Sequence, residues 1–225
     1  MVSFGKIVSI VNPILNLFIK NQPFFNIEYV PNSKLLESNW EIIRGELLEL
    51  LKDEDTIPPI QSISKTQEYL TTDKKWKAFF LKIYGNYIDK NCATCPLSTE
   101  IIKKIPNVST AFFSILDGHK HISKHEGSYK GVLRCHLGLI TPKDKKSKIS
   151  VGGEIRYWEE GKALLFDDTY PHEVWNDSDE KRVVLLLDIE RPLPYKWLQK
   201  LNRTTLRLIK KTDFIQEAVE KAQSS

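Results

Sequence analysis

All five histidines of this 225-residue chain lie between positions 119 and 172, and the residues around two of them suggest metal chemistry. His125 is followed by Glu126 and Gly127, and His172 follows the acidic turn 166–168. Neutral imidazole is the commonest side chain for binding catalytic transition metals. Non-haem Fe(II) oxygenases often use a histidine, an acid two residues later and a distant second histidine. Gly127 stands where the acid would be, so the spacing alone offers only half of such a triad.

Arg182 follows His172 by ten residues and precedes the apolar segment 183–189. A guanidinium group can hold a carboxylate through two parallel charge-assisted hydrogen bonds. This position predicts a site for a dicarboxylate that reaches the metal with its other end. Arg134 and His136 are two residues apart, so in a strand their side chains point to the same face and can act together.

The region after Pro106 has the pattern of a β domain. Its short segments are rich in β-branched or aromatic residues and are separated by Gly, Asp or Pro. We predict strands at 108–116, 132–140, 148–151, 154–158, 163–166 and 183–189. Gly152-Gly153 predicts a hairpin turn. Closely spaced strands of this kind indicate a β-sandwich or barrel, and the mouth of a barrel is a suitable place for a binding site.

Helices are predicted on both sides of this β region. Residues 34–52 carry apolar side chains at spacings of three and four, which predicts one helix. Residues 98–105 and 195–223 also read as helical, whereas 76–84 fits either a strand or a short helix. We therefore divide the chain into a helical extension (1–105), a catalytic β core (106–194) and a basic helical segment (195–225).

Composition excludes several classes of protein. Hydrophobic residues make up 41% of the chain and charged residues 28%, which excludes a disordered protein. The net charge of +4, from 33 basic and 29 acidic residues, is too small for a dedicated nucleic-acid binder, so we expect no nucleic-acid partner. The apolar run 7–19 is too short and too polar to span a bilayer, which needs about 20 apolar residues. We expect a cytoplasmic protein.

Four blocks, read together, resemble a known family. They are FSIL at 113–116, GVLRCHLGLITP at 131–142, WEEGKALLFDDTYPHEVWND at 158–177 and RVVLLLDIERP at 182–192. In this order they are similar to the aspartyl/asparaginyl β-hydroxylases, a family of Fe(II)/2-oxoglutarate dioxygenases. The resemblance implies a mainly β fold with flanking helices, whose core is a double-stranded β-helix of the jelly-roll, cupin-like type.

The resemblance also implies a role for each candidate residue. His125 and His172 match the two iron ligands, and Gly127 matches the family's own departure from the usual triad, where water replaces the acid. Arg182 matches the arginine that pairs with the distal carboxylate of 2-oxoglutarate, and Ser114, Arg134 and His136 match its remaining contacts. The implied cofactors are Fe(II), 2-oxoglutarate and O2, and the implied reaction is hydroxylation of an unactivated carbon.

The substrate stays open between two classes. The family includes hydroxylases of peptidyl Asp/Asn and bacterial enzymes that hydroxylate a fatty acyl chain of lipid A, and the blocks are more similar to the bacterial lipid branch. We expect substrate contacts in the unmatched N-terminal third. Two alternatives remain: an iron halogenase, which also needs two histidines and a glycine, and a cupin-like binding module without turnover.

The C-terminal segment has a second feature. Between positions 195 and 211 there are six basic residues and no acidic one, interleaved with Trp197, Leu198, Leu201, Leu208 and Ile209. Such a helix either packs on the barrel as a surface helix or makes peripheral contact with an anionic membrane.

Cys92 and Cys95 form a single CxxC motif. Zinc would need two further ligands, and the three cysteines of the chain do not supply them. Thiol redox chemistry is the other alternative. We favour a structural role for both residues.

Overall fold

Two antiparallel β-sheets face each other in the computed structural model, which describes residues 4–64 and 68–225. The larger sheet contains, in spatial order, β1 (Phe24–Phe25), β9 (Ala163–Phe166), β6 (Val132–Ile140), β11 (Arg182–Glu190), β4 (Val108–Leu116), β2 (Trp76–Ile83) and β3 (Asn86–Tyr87). The smaller sheet contains β5 (Lys120–His125), β10 (His172–Asn176), β7 (Ser147–Val151) and β8 (Glu154–Tyr157). Paired sheets flanked by helices confirm the predicted fold class.

The helices come from both ends of the chain. They are α1 (Phe4–Asn16), α2 (Lys34–Ser38), α3 (Trp40–Leu50), α4 (Ile60–Ile63), α5 (Asp89–Thr94), α6 (Pro96–Lys104), α7 (Lys196–Lys210) and α8 (Asp213–Ser224). The single helix predicted over 34–52 is interrupted at Asn39, whose φ of −121° and ψ of 15° are not helical. Its side-chain amide donates to the Leu35 carbonyl, which ends α2.

The three central strands β4, β6 and β11 are almost entirely buried, because each face of the larger sheet is covered. Phe113, Leu185 and other side chains of one face pack with α3 and α6. Phe112, Leu186 and their neighbours on the opposite face point toward the smaller sheet. Side chains alternate along a strand, so functional groups placed at every second residue share the space between the sheets.

The N-terminal third is more than a helical extension. Residues 76–83 form β2, which pairs with β4, and the short strands β1 and β3 add to the sheet at its two edges. Apolar side chains occupy both faces of β2, since helices cover one face and the space between the sheets lies against the other. A strand buried on both faces has no clear two-residue period, and for this reason the sequence did not decide between strand and helix.

Cys92 and Cys95 lie at the junction of α5 and α6, and both are free thiols. Burial, together with Glu46 and Cys92, raises the pKa of Cys95 to about 12, so the reactive thiolate is disfavoured. The Cys92 thiol donates to the Leu81 carbonyl. These contacts support the structural role.

Within the described residues, no helix combines the length and apolar character that crossing a bilayer requires.

Candidate active site

His125 and His172 lie directly opposite each other in the smaller sheet. His125 ends β5, His172 begins β10, and the antiparallel register pairs the two residues. Their ring centroids are 4.0 Å apart and the ring planes are inclined by 52°. Two residues that are 47 positions apart in the chain thus bring their imidazoles together.

A backbone hydrogen bond fixes each imidazole in one tautomer. The Nδ1 of His125 donates to the Ser123 carbonyl at 2.8 Å, and the Nδ1 of His172 donates to the Tyr170 carbonyl at 3.0 Å. Since a carbonyl only accepts, each Nδ1 carries the proton and each Nε2 keeps its lone pair. Burial, then the charges of His125 and Arg134, lowers the pKa of His172 to about 3, and burial also lowers that of His125. Both rings are therefore neutral at pH 7, as a metal ligand must be.

Gly127 lies against the acidic turn. Its amide donates to the Asp168 carbonyl at 2.7 Å, and a Cβ at this position would meet Asp168 Oδ2 at 2.2 Å. Within the described ranges, no group of three His, Cys, Asp or Glu side chains is arranged to hold a metal. The site therefore offers two nitrogen ligands, with a carboxylate beside them.

Asp168 belongs to an ion-pair cluster around Arg134. The guanidinium of Arg134 binds Asp188 with two nitrogens, at 2.9 and 3.2 Å, and lies 3.1 Å from Asp168 Oδ2. Burial raises the pKa of Asp168 above its usual range, because Arg134 is shared with Asp188 and only partly offsets the burial. These two acids hold Arg134 in place beside the histidine pair.

Asp168 and Asp188 were not among the predicted site residues. Asp167, the other acid of this turn, accepts from the Thr169 amide at 3.0 Å and pairs with Arg191. Asp188 lies an even number of residues after Arg182 on β11, so the shared strand face was a usable signal.

Arg182 is buried without a counter-charge. It is 1% exposed, and its Nε and Nη1 have no hydrogen-bond partner among the described residues. Its guanidinium carbon lies 4.6 Å from the centroid of the Trp158 ring, whose own Nε1 is also unpartnered. Burial lowers the pKa of Arg182 to about 9. Burying a cation without a partner costs folding free energy, and a bound anion would offset that cost, so this end of the site is suited to an anion.

His136 and Ser114 extend the same end of the site. His136 stacks near Trp158, with ring centroids 6.0 Å apart, and neither of its nitrogens has a partner in the described part of the chain. The Oγ of Ser114 accepts a hydrogen bond from Trp76 Nε1 at 3.0 Å, which leaves the hydroxyl proton available to a ligand. The centroid of the Phe166 ring lies 4.9 Å from that of His136 and 6.1 Å from that of His172.

The fold thus brings the six predicted residues to the space between the sheets. His125, His172 and Arg134 lie together, and Arg182, His136 and Ser114 lie further along the same inner face. A cavity of about 320 Å³ begins at His125, Gly127, Arg134 and Asp168. Its remaining wall is mainly apolar and includes Phe4, Ile60, Ile63, Phe112, Phe214 and Ala218. The arrangement joins a polar centre to a hydrophobic space contributed by helices from both ends of the chain.

Comparison with known proteins agrees with this geometry. The family model described as Aspartyl/Asparaginyl beta-hydroxylase matches residues 37–192. The chain belongs to this family. Its core strands and all six candidate residues lie within the matched range, whereas α1, α7 and α8 lie outside it.

Two relatives differ in their substrates. The chain is 39% identical over 203 residues to an ornithine lipid ester-linked acyl 2-hydroxylase from Rhizobium tropici, covering 89% of this chain and 71% of that protein. It is 32% identical over 183 residues to the human aspartyl/asparaginyl beta-hydroxylase, covering 77% of this chain but only 23% of the human protein.

Among solved structures, a Pseudomonas putida prolyl-4-hydroxylase aligns with a TM-score of 0.44 at 13% identity, covering 83% of this chain and 99% of that chain. The predicted enzyme class, a hydroxylase of the aspartyl/asparaginyl β-hydroxylase type, is confirmed by the family and its named members. The comparisons give no support to the halogenase alternative.

Proposed function

We propose that this protein is an Fe(II)- and 2-oxoglutarate-dependent hydroxylase of a lipid acyl chain. The observation that carries the proposal is a cavity that has His125, Arg134 and Asp168 at its polar end and mainly apolar side chains along the rest of its wall. A cytoplasmic location with peripheral membrane contact through residues 195–211 is part of the same proposal.

The donor set fits a ferrous ion. His125 and His172 would hold it through their Nε2 atoms, since both Nδ1 atoms are occupied by carbonyls. A hydrogen bond donated by the other ring nitrogen orients a metal-binding imidazole and makes it a better ligand. When bound, iron with 2-oxoglutarate supplies the activation of O2 that hydroxylation of an unreactive carbon requires.

Arg182 would bind the distal carboxylate of 2-oxoglutarate. Its unpartnered nitrogens gain a buried ion pair, and the free hydroxyl proton of Ser114 can donate to the same group. His136 lies on the neighbouring strand, where its unpartnered ring nitrogens can contact the rest of the molecule. Arg134, held by Asp168 and Asp188, shares that strand face and keeps the same end of the site positive. The face of Trp158 covers the guanidinium and keeps water from it.

An acyl chain suits the cavity better than a polar peptide. Phe4, Ile60, Phe112 and Phe214 offer no hydrogen bonds to amide groups, and an amide buried there would lose those it makes with water. The alignment with the acyl 2-hydroxylase also covers more of this chain, and more of the relative, than the alignment with the human aspartyl/asparaginyl beta-hydroxylase does.

The test is product analysis. Purified enzyme with Fe(II), 2-oxoglutarate and O2 is incubated with a bacterial lipid extract and, separately, with Asp- and Asn-containing peptides. Mass spectrometry should show the gain of one oxygen on an acyl chain, accompanied by succinate. Oxygen gained only by peptides, or no product from either mixture, would contradict the proposal.

A cavity variant links the product to this site. Ala218→Phe should narrow the hydrophobic wall and lower kcat/KM for the lipid about 10-fold, the effect of about 1.4 kcal/mol. Val219→Phe, on the same helix but outside the cavity wall, is the matched control. Equal effects of the two substitutions would contradict an acyl-binding role for this cavity.

A further inference from the structure

The exposed end of α1 and the outer side of α7 form one apolar surface, which we call the α1–α7 face. Its apolar members Ile10, Leu17, Phe18, Tyr195, Trp197 and Leu208 are 38–78% exposed. The Phe18 ring makes edge contacts with Tyr195 at 5.8 Å and Trp197 at 5.5 Å, measured between centroids. Single exposed apolar residues are ordinary, but a joined aromatic cluster on the surface indicates an interaction site.

The same surface has a one-sided charge. Residues 4–27 and 191–212, which supply both helices, contain no aspartate or glutamate. On α7 the outward positions hold Trp197, Lys200, Arg207 and Leu208, and the exposed Lys211 follows the helix directly. The opposite side of α7 is buried through Leu198, Asn202, Thr205 and Ile209. The helix is therefore packed on the core and still presents a cationic and aromatic side to solvent.

We propose that the α1–α7 face binds the surface of an anionic bilayer. Aromatic side chains favour the level of the lipid headgroups, and lysine and arginine attract acidic lipids over a Debye length. A protein partner would need complementary acidic and hydrophobic patches, whereas a bilayer offers an apolar layer beneath a negative surface to any helix lying flat on it.

Both helices of this face also hold the loop that leads away from the active site. Asn12 of α1 donates to the Ser128 carbonyl at 2.8 Å and accepts from the Lys130 amide at 3.1 Å. Asn202 of α7 donates to the Gly131 carbonyl at 2.8 Å and accepts from the Tyr129 hydroxyl. Ser128 and Tyr129 line the cavity. A membrane bound at the α1–α7 face would therefore lie at the end of the barrel where the cavity loop is.

Membrane binding at the α1–α7 face would give the proposed lipid hydroxylase access to its substrate, so the inference rests on that proposal. The binding can be measured without catalysis. The full chain without added iron is mixed with vesicles of phosphatidylcholine alone, or with about 30 mol% phosphatidylglycerol, and bound protein is separated by flotation. We expect binding to the anionic vesicles and its loss at high salt, where surface charges are screened. Absence of binding to the anionic vesicles, or equal binding to both kinds, would overturn the inference.

Paired variants locate the contact. Lys200→Glu with Arg207→Glu should weaken binding by at least about 30-fold, since each basic residue near a membrane contributes about 1 kcal/mol. Lys74→Glu with Lys143→Glu makes the same charge change at exposed sites elsewhere and should have much less effect.

The apolar part is tested in the same way. Phe18→Ser with Trp197→Ser should reduce binding, and Leu97→Ser, at a site that is 56% exposed on α6, should not. The α1–α7 face is not the membrane contact if the control substitutions weaken vesicle binding as much as those on the face. The same conclusion follows if the substitutions on the face leave vesicle binding unchanged. Active enzyme that fails to bind vesicles would refute this inference and the peripheral membrane contact, and would leave the proposed hydroxylase activity standing.

Discussion

A Cβ on Gly127 would lie 2.2 Å from Oδ2 of Asp168, closer than any real Cβ contact. That carboxylate cannot easily move away, because the backbone of Asp168 accepts from the Gly127 amide and its side chain lies beside Arg134. The glycine at the position of the missing triad acid is thus required by packing in this protein. A carboxylate is present near the histidines, but it comes from the turn before β10.

Gly127→Ala should therefore destabilise the protein by about 1–3 kcal/mol, the usual cost of inserting a group into a filled site. Gly45→Ala is the matched control, since a Cβ there meets nothing within 4 Å and alanine favours a helix by up to about 1 kcal/mol. Denaturant unfolding measures both. Combining Gly127→Ala with Asp168→Ala should recover part of the lost stability, and a Gly127→Ala protein as stable as the parent would contradict the packing argument.

Arg182→Met should have opposite effects on stability and on co-substrate binding. Removing an unpaired buried cation should raise the free energy of unfolding of the ligand-free protein by about 1–4 kcal/mol. Affinity for 2-oxoglutarate should fall by at least about 100-fold, because a buried ion pair is lost. Thermal unfolding with and without 2-oxoglutarate measures both, and Arg156→Met, at an exposed arginine on β8, is the control. If 2-oxoglutarate stabilises the Arg182→Met protein against thermal unfolding as much as it stabilises the parent, Arg182 does not bind the co-substrate.

His136 predicts a pH dependence of stability. Burial, then the positive charge of Arg182, lowers the pKa of His136 well below 6.5, so the unfolded chain binds a proton there that the folded protein excludes. The contribution of neutral His136 to the free energy of unfolding is fully present above about pH 6.5. It is lost as the pH falls below that value, by at most about 1.4 kcal/mol per pH unit. The difference in free energy of unfolding between His136→Phe and the parent should shift in favour of His136→Phe as the pH falls from 7.5 to 5. Phe166→Leu, a nearby apolar substitution, is the control, and its difference from the parent in free energy of unfolding should be the same at pH 7.5 and pH 5.

Trp158→Phe tests the unpartnered indole nitrogen. The phenyl ring should still cover the Arg182 guanidinium, but no N–H remains for a bound carboxylate. We expect KM for 2-oxoglutarate to rise about 5- to 10-fold, the value of one hydrogen bond, with kcat little changed. Trp175→Phe, whose ring stacks on His121, is the control. A fall in kcat with unchanged KM would show that Trp158 acts elsewhere.

The strands that carry Ser114, Arg134 and His136 could be predicted from the sequence. The predicted strands 108–116, 132–140 and 163–166 match β4, β6 and β9, and the Gly152-Gly153 turn joins β7 and β8 with positive φ at both glycines. The strands of the histidine pair, β5 and β10, were not predicted. Ile122 is the one apolar residue of β5, and Val174 and Trp175 are adjacent in β10, so neither sequence shows the apolar alternation that predicts a strand.

Contacts between distant segments could not be read from the chain. The bidentate pair of Arg134 with Asp188 depends on the register of β6 and β11, and the approach of Asp168 to Gly127 depends on the fold of two loops. The apolar wall of the cavity joins Phe4 to Phe214, whose rings are 6.4 Å apart although one lies near each end of the chain. The expected substrate region in the N-terminal third omitted this contribution from α8.

The most direct test of the central claim is anaerobic Fe(II) binding by equilibrium dialysis in the presence of 2-oxoglutarate. We predict one iron per chain, a loss of affinity of at least about 100-fold in His125→Ala and in His172→Ala, and no comparable loss in His121→Ala, an exposed histidine of the same sheet. Iron bound equally well by the parent and by the His125→Ala/His172→Ala double variant would contradict the account.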